Sequence, residues 1–169
     1  MKPAADFVAL QATLEEKRLL VEGALHRLVA PSDAPAVDAA LRDSLFAPAK
    51  RLRPILSLLV AEILRGDAAS VLPAACAVEM VHTASLILDD LPSMDDAKTR
   101  RGRPACHLRH GESTAILAAF ALLNGAYEIL AGGWAGAPEE TSRAGIARYL
   151  ARAVGCDGMI AGQAMDLAM

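Results

Sequence analysis

Residues 79–96 read Glu79-Met80-Val81-His82-Thr83-Ala84-Ser85-Leu86-Ile87-Leu88-Asp89-Asp90-Leu91-Pro92-Ser93-Met94-Asp95-Asp96, an apolar run that ends in clustered carboxylates. His82, Ser85 and Asp89 stand at i, i+3 and i+7, so on a helix they share one face. Pro92 biases Leu91 away from helical geometry, so the helix is predicted to break inside the acidic cluster. Clustered carboxylates repel one another and raise their own pKa values unless a cation sits between them. Oxygen ligands with no adjacent Cys favour a hard ion, Mg²⁺ or Mn²⁺, over zinc. Mg²⁺ typically keeps waters and binds one or two carboxylates plus a substrate phosphate. The run therefore points to a phosphate-bearing ligand as well as a metal. A solvated acidic turn is the competing explanation, and the neighbouring residues decide between them.

Helical spacing continues on both sides of this stretch, and no run of period-two alternation is long enough for a strand. A first helix is predicted near Asp6 to Val29, ending before Pro31. A second fits Asp38 to Phe46, introduced by Ser32, Asp33 and Pro35. Pro54 suits the first turn of a third helix that runs to Leu64 and stops at Gly66. The fourth spans Ala68 to about Leu91. A fifth runs from Ser113 to Leu130 and closes at Gly132-Gly133. A sixth opens at Pro138-Glu139-Glu140 and ends near Gly155, and a seventh starts at Asp157 and is still running at Met169. The expectation is a single all-α domain over residues 1–169 whose last helix looks cut short.

Composition agrees with packed helices. Apolar residues make up 54% of the 169 and charged residues 22%, which excludes a disordered chain. Aromatic residues are only 4%, while Ala and Leu dominate. A net charge of −3 gives no general attraction to nucleic acid or anionic membrane. Cys76, Cys106 and Cys156 form no CxxC pair and are odd in number, which predicts free thiols in a reducing cytoplasm. The opening Met1-Lys2-Pro3-Ala4-Ala5-Asp6 lacks an apolar signal region and predicts no secretion. Residues 115–137 are polar only at Asn124 and Glu128; their Ala and Gly content favours a buried central helix over a membrane span.

The basic residues supply a counterpart to the acids. Lys50-Arg51-Leu52-Arg53-Pro54 places three cations at the start of a helix, where free backbone N–H groups already favour an anion. Arg100 and Arg101 follow the acidic cluster, and paired Arg forks suit diphosphate groups. A zinc site built from Cys106, His107 and His110 lacks an obvious fourth ligand.

Taken in order, these residues resemble the trans-polyprenyl diphosphate synthases, the farnesyl and geranylgeranyl diphosphate synthase family. The resemblance runs from Lys50 to Asp166. It is carried by Lys50-Arg51-Leu52-Arg53-Pro54, Glu79-Met80-Val81-His82-Thr83, Asp89-Asp90-x₄-Asp95, Arg100-Arg101-Gly102-Arg103-Pro104, Gly111-Glu112 and Gly162-Gln163-x-x-Asp166-Leu167. It implies a helical bundle of the isoprenoid synthase type, truncated to about its N-terminal half, and a prenyltransferase of isoprenoid biosynthesis. Its substrates would be isopentenyl diphosphate and an allylic diphosphate. On this resemblance Asp89, Asp90 and Asp95 are the catalytic, metal-binding acids, with Mg²⁺ as cofactor. Arg100 would contact the allylic diphosphate, and Gln163 and Asp166 would line its site. Lys50, Arg53, His82 and Arg101 would bind isopentenyl diphosphate. Ala84 and Ser85, ~6–8 Å down the helix from Asp89 at ~1.5 Å per residue, would set product length. Both are small, so a geranylgeranyl-type pocket is expected. A homodimer, or association with another synthase chain, is implied as well.

The match breaks at four places. Pro48 and Ala49 replace two glycines usual before Lys50, and a proline offers no N–H to a phosphate. Leu88 stands where many short-chain members carry His. Ala119-Phe120 replaces a common Gly-Asp pair. The second aspartate-rich motif of the family's C-terminal half does not occur in these 169 residues. The alternative to an enzyme is thus a non-catalytic subunit or remnant that associates with a complete synthase. A class I terpene cyclase shares the acidic motif, but the basic motifs at Lys50–Pro54 and Arg100–Pro104 argue against it.

Overall fold

The computed structural model describes residues 3–168. Eight helices and one short β-hairpin follow in the order α1 (Pro3–Leu28), α2 (Pro35–Leu45), α3 (Leu52–Ile63), α4 (Ala68–Asp89), β1 (Thr99–Arg100), β2 (Arg103–Pro104), α5 (Cys106–His110), α6 (Glu112–Gly132), α7 (Glu140–Val154) and α8 (Met159–Asp166). All seven predicted helices are present, with boundaries moved by a few residues. The seventh, expected to be still running at Met169, ends at Asp166; Met169 itself lies outside the described residues.

Two elements depart from the prediction. Residues 99–104 form an antiparallel hairpin that pairs Thr99 with Pro104 and Arg100 with Arg103. Its tip, Arg101-Gly102, takes positive φ at both residues (54° and 75°). That is the pattern of a tight turn matched to strand twist. The five-residue α5 follows at once. Both are too short to leave a periodic signal.

Helix α4 runs through the middle of the bundle and packs most extensively against α6, then against α3 and α1. The α4–α6 seam is built from small residues. Ala75, Ala77 and Ala84 on α4, and Ala115, Ala118, Ala119 and Ala126 on α6, are all buried. Gly125 belongs to the same seam: a Cβ there would lie 3.0 Å from Met80 Cε. Larger side chains (Val21, Leu25, Leu45, Leu58, Leu122 and Leu130) fill the core around the seam.

Local signals fix the ends of the helices that carry charge. Asp67 caps α4 by accepting from the Ala69 N–H at 3.0 Å. Pro54 sits in the first turn of α3, as expected. Helices α4 and α6 are each long and apolar enough to cross a membrane by length and composition. Half of that stretch is buried in α4 and a third in α6.

Candidate active site: an acidic turn and two cavities

The acidic cluster begins where α4 ends. Residues 91–96 coil back on the helix end: the Asp95 N–H donates to Asp89 O at 2.9 Å, and the Asp96 N–H to Leu91 O at 3.0 Å. This fold-back brings the Asp95 carboxyl beside that of Asp89. The Asp89 charge, with desolvation and Asp166 adding to it, holds Asp95 above the ordinary carboxylate range. The pair is oxygen-only and mutually repulsive, which is the condition a hard divalent cation relieves.

Asp90 takes a different part. It is 2% exposed, and both of its oxygens accept from Arg100 Nε, at 3.0 and 3.1 Å. Arg100 Nη2 closes the same ion pair and reaches Asp89 at 3.6 Å. The family resemblance implies Asp89, Asp90 and Asp95 as one ligand set. In the structure Asp95 lies beside Asp89, while the Asp90 carboxylate is paired with Arg100. Among the described residues no three His, Cys, Asp or Glu side chains converge as a metal cage. Two carboxylates still fit Mg²⁺, which takes its remaining oxygens from water and phosphate. The same count disposes of the zinc alternative: His110 instead bonds Asp43 at 2.7 Å.

On the inner side of this turn lies an apolar cavity of about 270 Å³. Ser85, Leu88, Met94, Met159, Ile160 and Leu167 line it, with Asp89 and Gln163 at its polar edge. Gln163 Nε2 donates to Asp89 Oδ1 at 2.6 Å and so ties α8 to the end of α4. Of the two residues predicted to set product length, only Ser85 lines this cavity. Ala84 is 3% exposed and belongs to the core, since one helical residue is a rotation of about 100°. Leu88, one of the departures from the family pattern, supplies part of the apolar wall.

A second cavity, of about 360 Å³, opens on the neighbouring face of α4. Lys50, Arg53, His82 and Arg101 line it, together with Pro48, Ala49, Arg51 and Glu79. Arg53 Nη1 lies 3.2 Å from His82 Nε2. Burial first, and then the Arg53 charge, push His82 below its ordinary pKa. It therefore accepts from Arg53 as a neutral ring. Burial and Arg51 likewise push Arg101 below the usual guanidinium range. The hairpin explains how adjacent arginines serve two sites: Arg100 turns to Asp90, while Arg101, on the turn, faces the basic cavity.

Arg51 departs from the expectation of three cations facing an anion. Its side chain is 0% exposed. It bonds Glu79 through Nη1 at 2.8 Å, Glu22 through Nε at 2.9 Å and the Leu45 carbonyl. Its backbone is left-handed, with φ 50°, a conformation a non-glycine residue rarely adopts.

The family model described as polyprenyl synthetase matches residues 34–169. The chain belongs to the polyprenyl synthetase family. It is 48% identical over 150 residues to geranylgeranyl pyrophosphate synthase 12, chloroplastic, of Arabidopsis thaliana, a match covering 87% of this chain and 41% of that one. It is 42% identical over 165 residues to the heterodimeric geranylgeranyl pyrophosphate synthase large subunit 1, chloroplastic, of the same plant, covering 96% and 43%. Among solved structures it is similar to the apo FPP/GFPP synthase of Zymomonas mobilis, with TM-score 0.86 and 33% identity over 95% of this chain and 58% of that one. The fold is thus the all-α isoprenoid synthase fold. The chain spans about two fifths of the length of the curated relatives it matches.

Within this chain, the structure brings Asp89, Asp95, Arg100 and Gln163 together at one end of α4. It brings Lys50, Arg53, His82 and Arg101 together at the second cavity. Asp166 stands close enough to Asp95 to act on its charge. Two participants were not foreseen in the sequence: the Arg51–Glu79 pair and the α8 wall at Met159 and Ile160. A lone Glu79 on an otherwise apolar helix is the signal that could have disclosed the first, because a buried carboxylate needs a cation.

Proposed function

We propose that this chain forms the first-motif half of a prenyltransferase that joins isopentenyl diphosphate to an allylic diphosphate, with a geranylgeranyl-type product. One observation carries it: a single helix presents the Asp89–Asp95 pair beside an apolar cavity and His82 beside a basic one. On this reading one face of α4 serves two diphosphate sites, about two turns apart.

Asp89 and Asp95 would hold a divalent cation, Mg²⁺ or Mn²⁺, with Arg100 anchored by Asp90 beside them. When bound there, such an ion supplies charge neutralisation to a departing diphosphate. Arg100, 3.6 Å from Asp89, adds a fixed fork for the same diphosphate. The apolar wall formed by Leu88, Met94, Met159 and Ile160 takes the prenyl tail and keeps water from the allylic carbon. Lys50, Arg53 and Arg101 hold the isopentenyl diphosphate, with His82 kept neutral as an acceptor for Arg53. Pro48 and Ala49 weaken that hold, because a proline gives the phosphate no N–H.

A second reading, a non-catalytic subunit that joins a complete synthase, draws on the uncovered apolar surface. Phe120 is 61% exposed and Leu117 55% on α6, in line at i and i+3. Either reading includes association, with a second copy or with another synthase chain. The unpaired thiols suit a reducing compartment, cytoplasm or plastid stroma.

Incubation of the chain with Mg²⁺, isopentenyl diphosphate and dimethylallyl diphosphate separates the two. Formation of geranylgeranyl diphosphate supports the enzyme reading. Diphosphate binding without turnover supports the subunit reading, and a product no longer than farnesyl diphosphate refutes the geranylgeranyl assignment.

A further inference from the structure

We infer that Arg51 is a positioning residue of the basic cavity: it cancels the buried Glu79 carboxylate in the cavity wall, so that Lys50, Arg53 and Arg101 present undiminished positive charge to a diphosphate. This deepens the diphosphate-binding assignment of that cavity and rests on it.

Glu79 lines the cavity and is 2% exposed. An anion approaching Lys50 and Arg53 therefore meets a carboxylate behind them. Arg51 meets that carboxylate head-on at 2.8 Å, from a side chain with no exposure. It is itself held by Glu22 from α1 and by the Leu45 carbonyl at the end of α2. Its left-handed backbone at the start of α3 turns this one cation inward, while Lys50 and Arg53 on either side remain exposed to the cavity. Three arginines and a lysine around one cavity thus divide into ligands and a counter-charge.

The charged and titratable groups that act around Glu79 come from several elements. Arg51 stands at the start of α3, and Glu22 reaches it from α1 through Arg51. Cys76 and His82 lie on α4 itself, and Arg101 approaches from the hairpin. Without Arg51 the carboxylate loses its cation in a desolvated wall, where its charge repels an anionic ligand.

Inorganic diphosphate titrated calorimetrically into the full chain tests this. Arg51→Met should weaken binding at about pH 8 by roughly tenfold or more, the effect of one unit charge within ~10 Å at an effective dielectric constant near 20. Arg51→Met combined with Glu79→Met, which exchanges the pair for apolar side chains, should recover most of the affinity. Glu79→Gln alone leaves Arg51 on Glu22 and Leu45, and should bind diphosphate at least as tightly as the unmodified chain. A purely structural role for the pair predicts the reverse, so weaker binding by Glu79→Gln overturns the inference even if Arg51→Met fails to fold. A double variant as weak as folded Arg51→Met overturns it too. If the unmodified chain binds no diphosphate, the assignment of the cavity itself fails, and this inference with it.

Discussion

Replacing Asp90 by Asn separates two roles that the acidic motif merges. Asp90 is 2% exposed and receives Arg100 on both oxygens, whereas Asp89 and Asp95 are the pair that repel each other. Asparagine keeps one acceptor oxygen for Arg100 and loses the charge. Hydrogen bonds to charged groups contribute ~1.5–3 kcal/mol. The Arg100 side chain is 37% exposed, so water takes up part of that loss. The net cost is therefore about 1–2 kcal/mol, or a fall in melting temperature of roughly 2–8 °C for a chain of this size. Asp89→Asn and Asp95→Asn instead remove one of two ligand carboxylates, and should lower Mn²⁺ affinity by on the order of tenfold with little change in melting. Thermal melts and Mn²⁺ titration followed by electron paramagnetic resonance, on the same three variants, give the answer. If Asp90→Asn melts like the unmodified chain and loses Mn²⁺ as severely as Asp89→Asn, the assignment of Asp90 to Arg100 is wrong.

Three further outcomes follow from the same geometry. His82 is held below its ordinary pKa by burial and Arg53, so the unfolded chain binds its proton more readily. Stability is therefore lost as pH falls through the ordinary histidine range. The urea midpoint should drop less in His82→Asn than in the unmodified chain between about pH 7.5 and about pH 5.5, and equal drops would clear His82 of the effect. Burial pushes the Cys76 thiol up to about 12 and raises Cys106 as well, while Cys156 is exposed. An aromatic disulfide reagent should thus titrate one thiol quickly in the folded chain and all three in denaturant; rapid reaction of Cys76 would contradict the packing of α4. In any active form, Ser85→Phe places a ring in the 270 Å³ cavity and should shift product from geranylgeranyl to farnesyl length, whereas Ala84→Ser, inside the core, should leave product length alone.

The helices were legible because apolar spacing and the Pro and Gly boundaries agree along the whole chain. Pro92 marked the break after α4 correctly: Asp90 caps the helix and residues 91–96 turn back. The hairpin at residues 99–104 was not legible from periodicity, since two-residue strands alternate over nothing. Its only trace is Arg101-Gly102, a pair that tolerates positive φ at the second residue but says little about the first. The α5 turn of Cys106–His110 was likewise too short for a stripe of its own.

At the site, the helical wheel contained more than it first yielded. The periodicity that aligns His82, Ser85 and Asp89 rotates Asp90 by about 100° from that face, toward the buried side where Arg100 meets it. The division of labour within Asp89-Asp90 was therefore readable up to the last helical residue. Asp95 was not, because its place beside Asp89 depends on a turn that closes on the helix end by main-chain bonds. Arg51 was hidden for another reason. Nothing in Lys50-Arg51-Leu52-Arg53 distinguishes its cations, and its partners Glu22 and Glu79 lie 29 and 28 residues away. A left-handed residue held by two distant carboxylates is a tertiary fact. What the sequence did offer was the unpaired acid: the eleven residues of α4 before Glu79 carry no charge, nor do Met80 and Val81 after it, and a carboxylate in that setting calls for a buried cation somewhere in the fold.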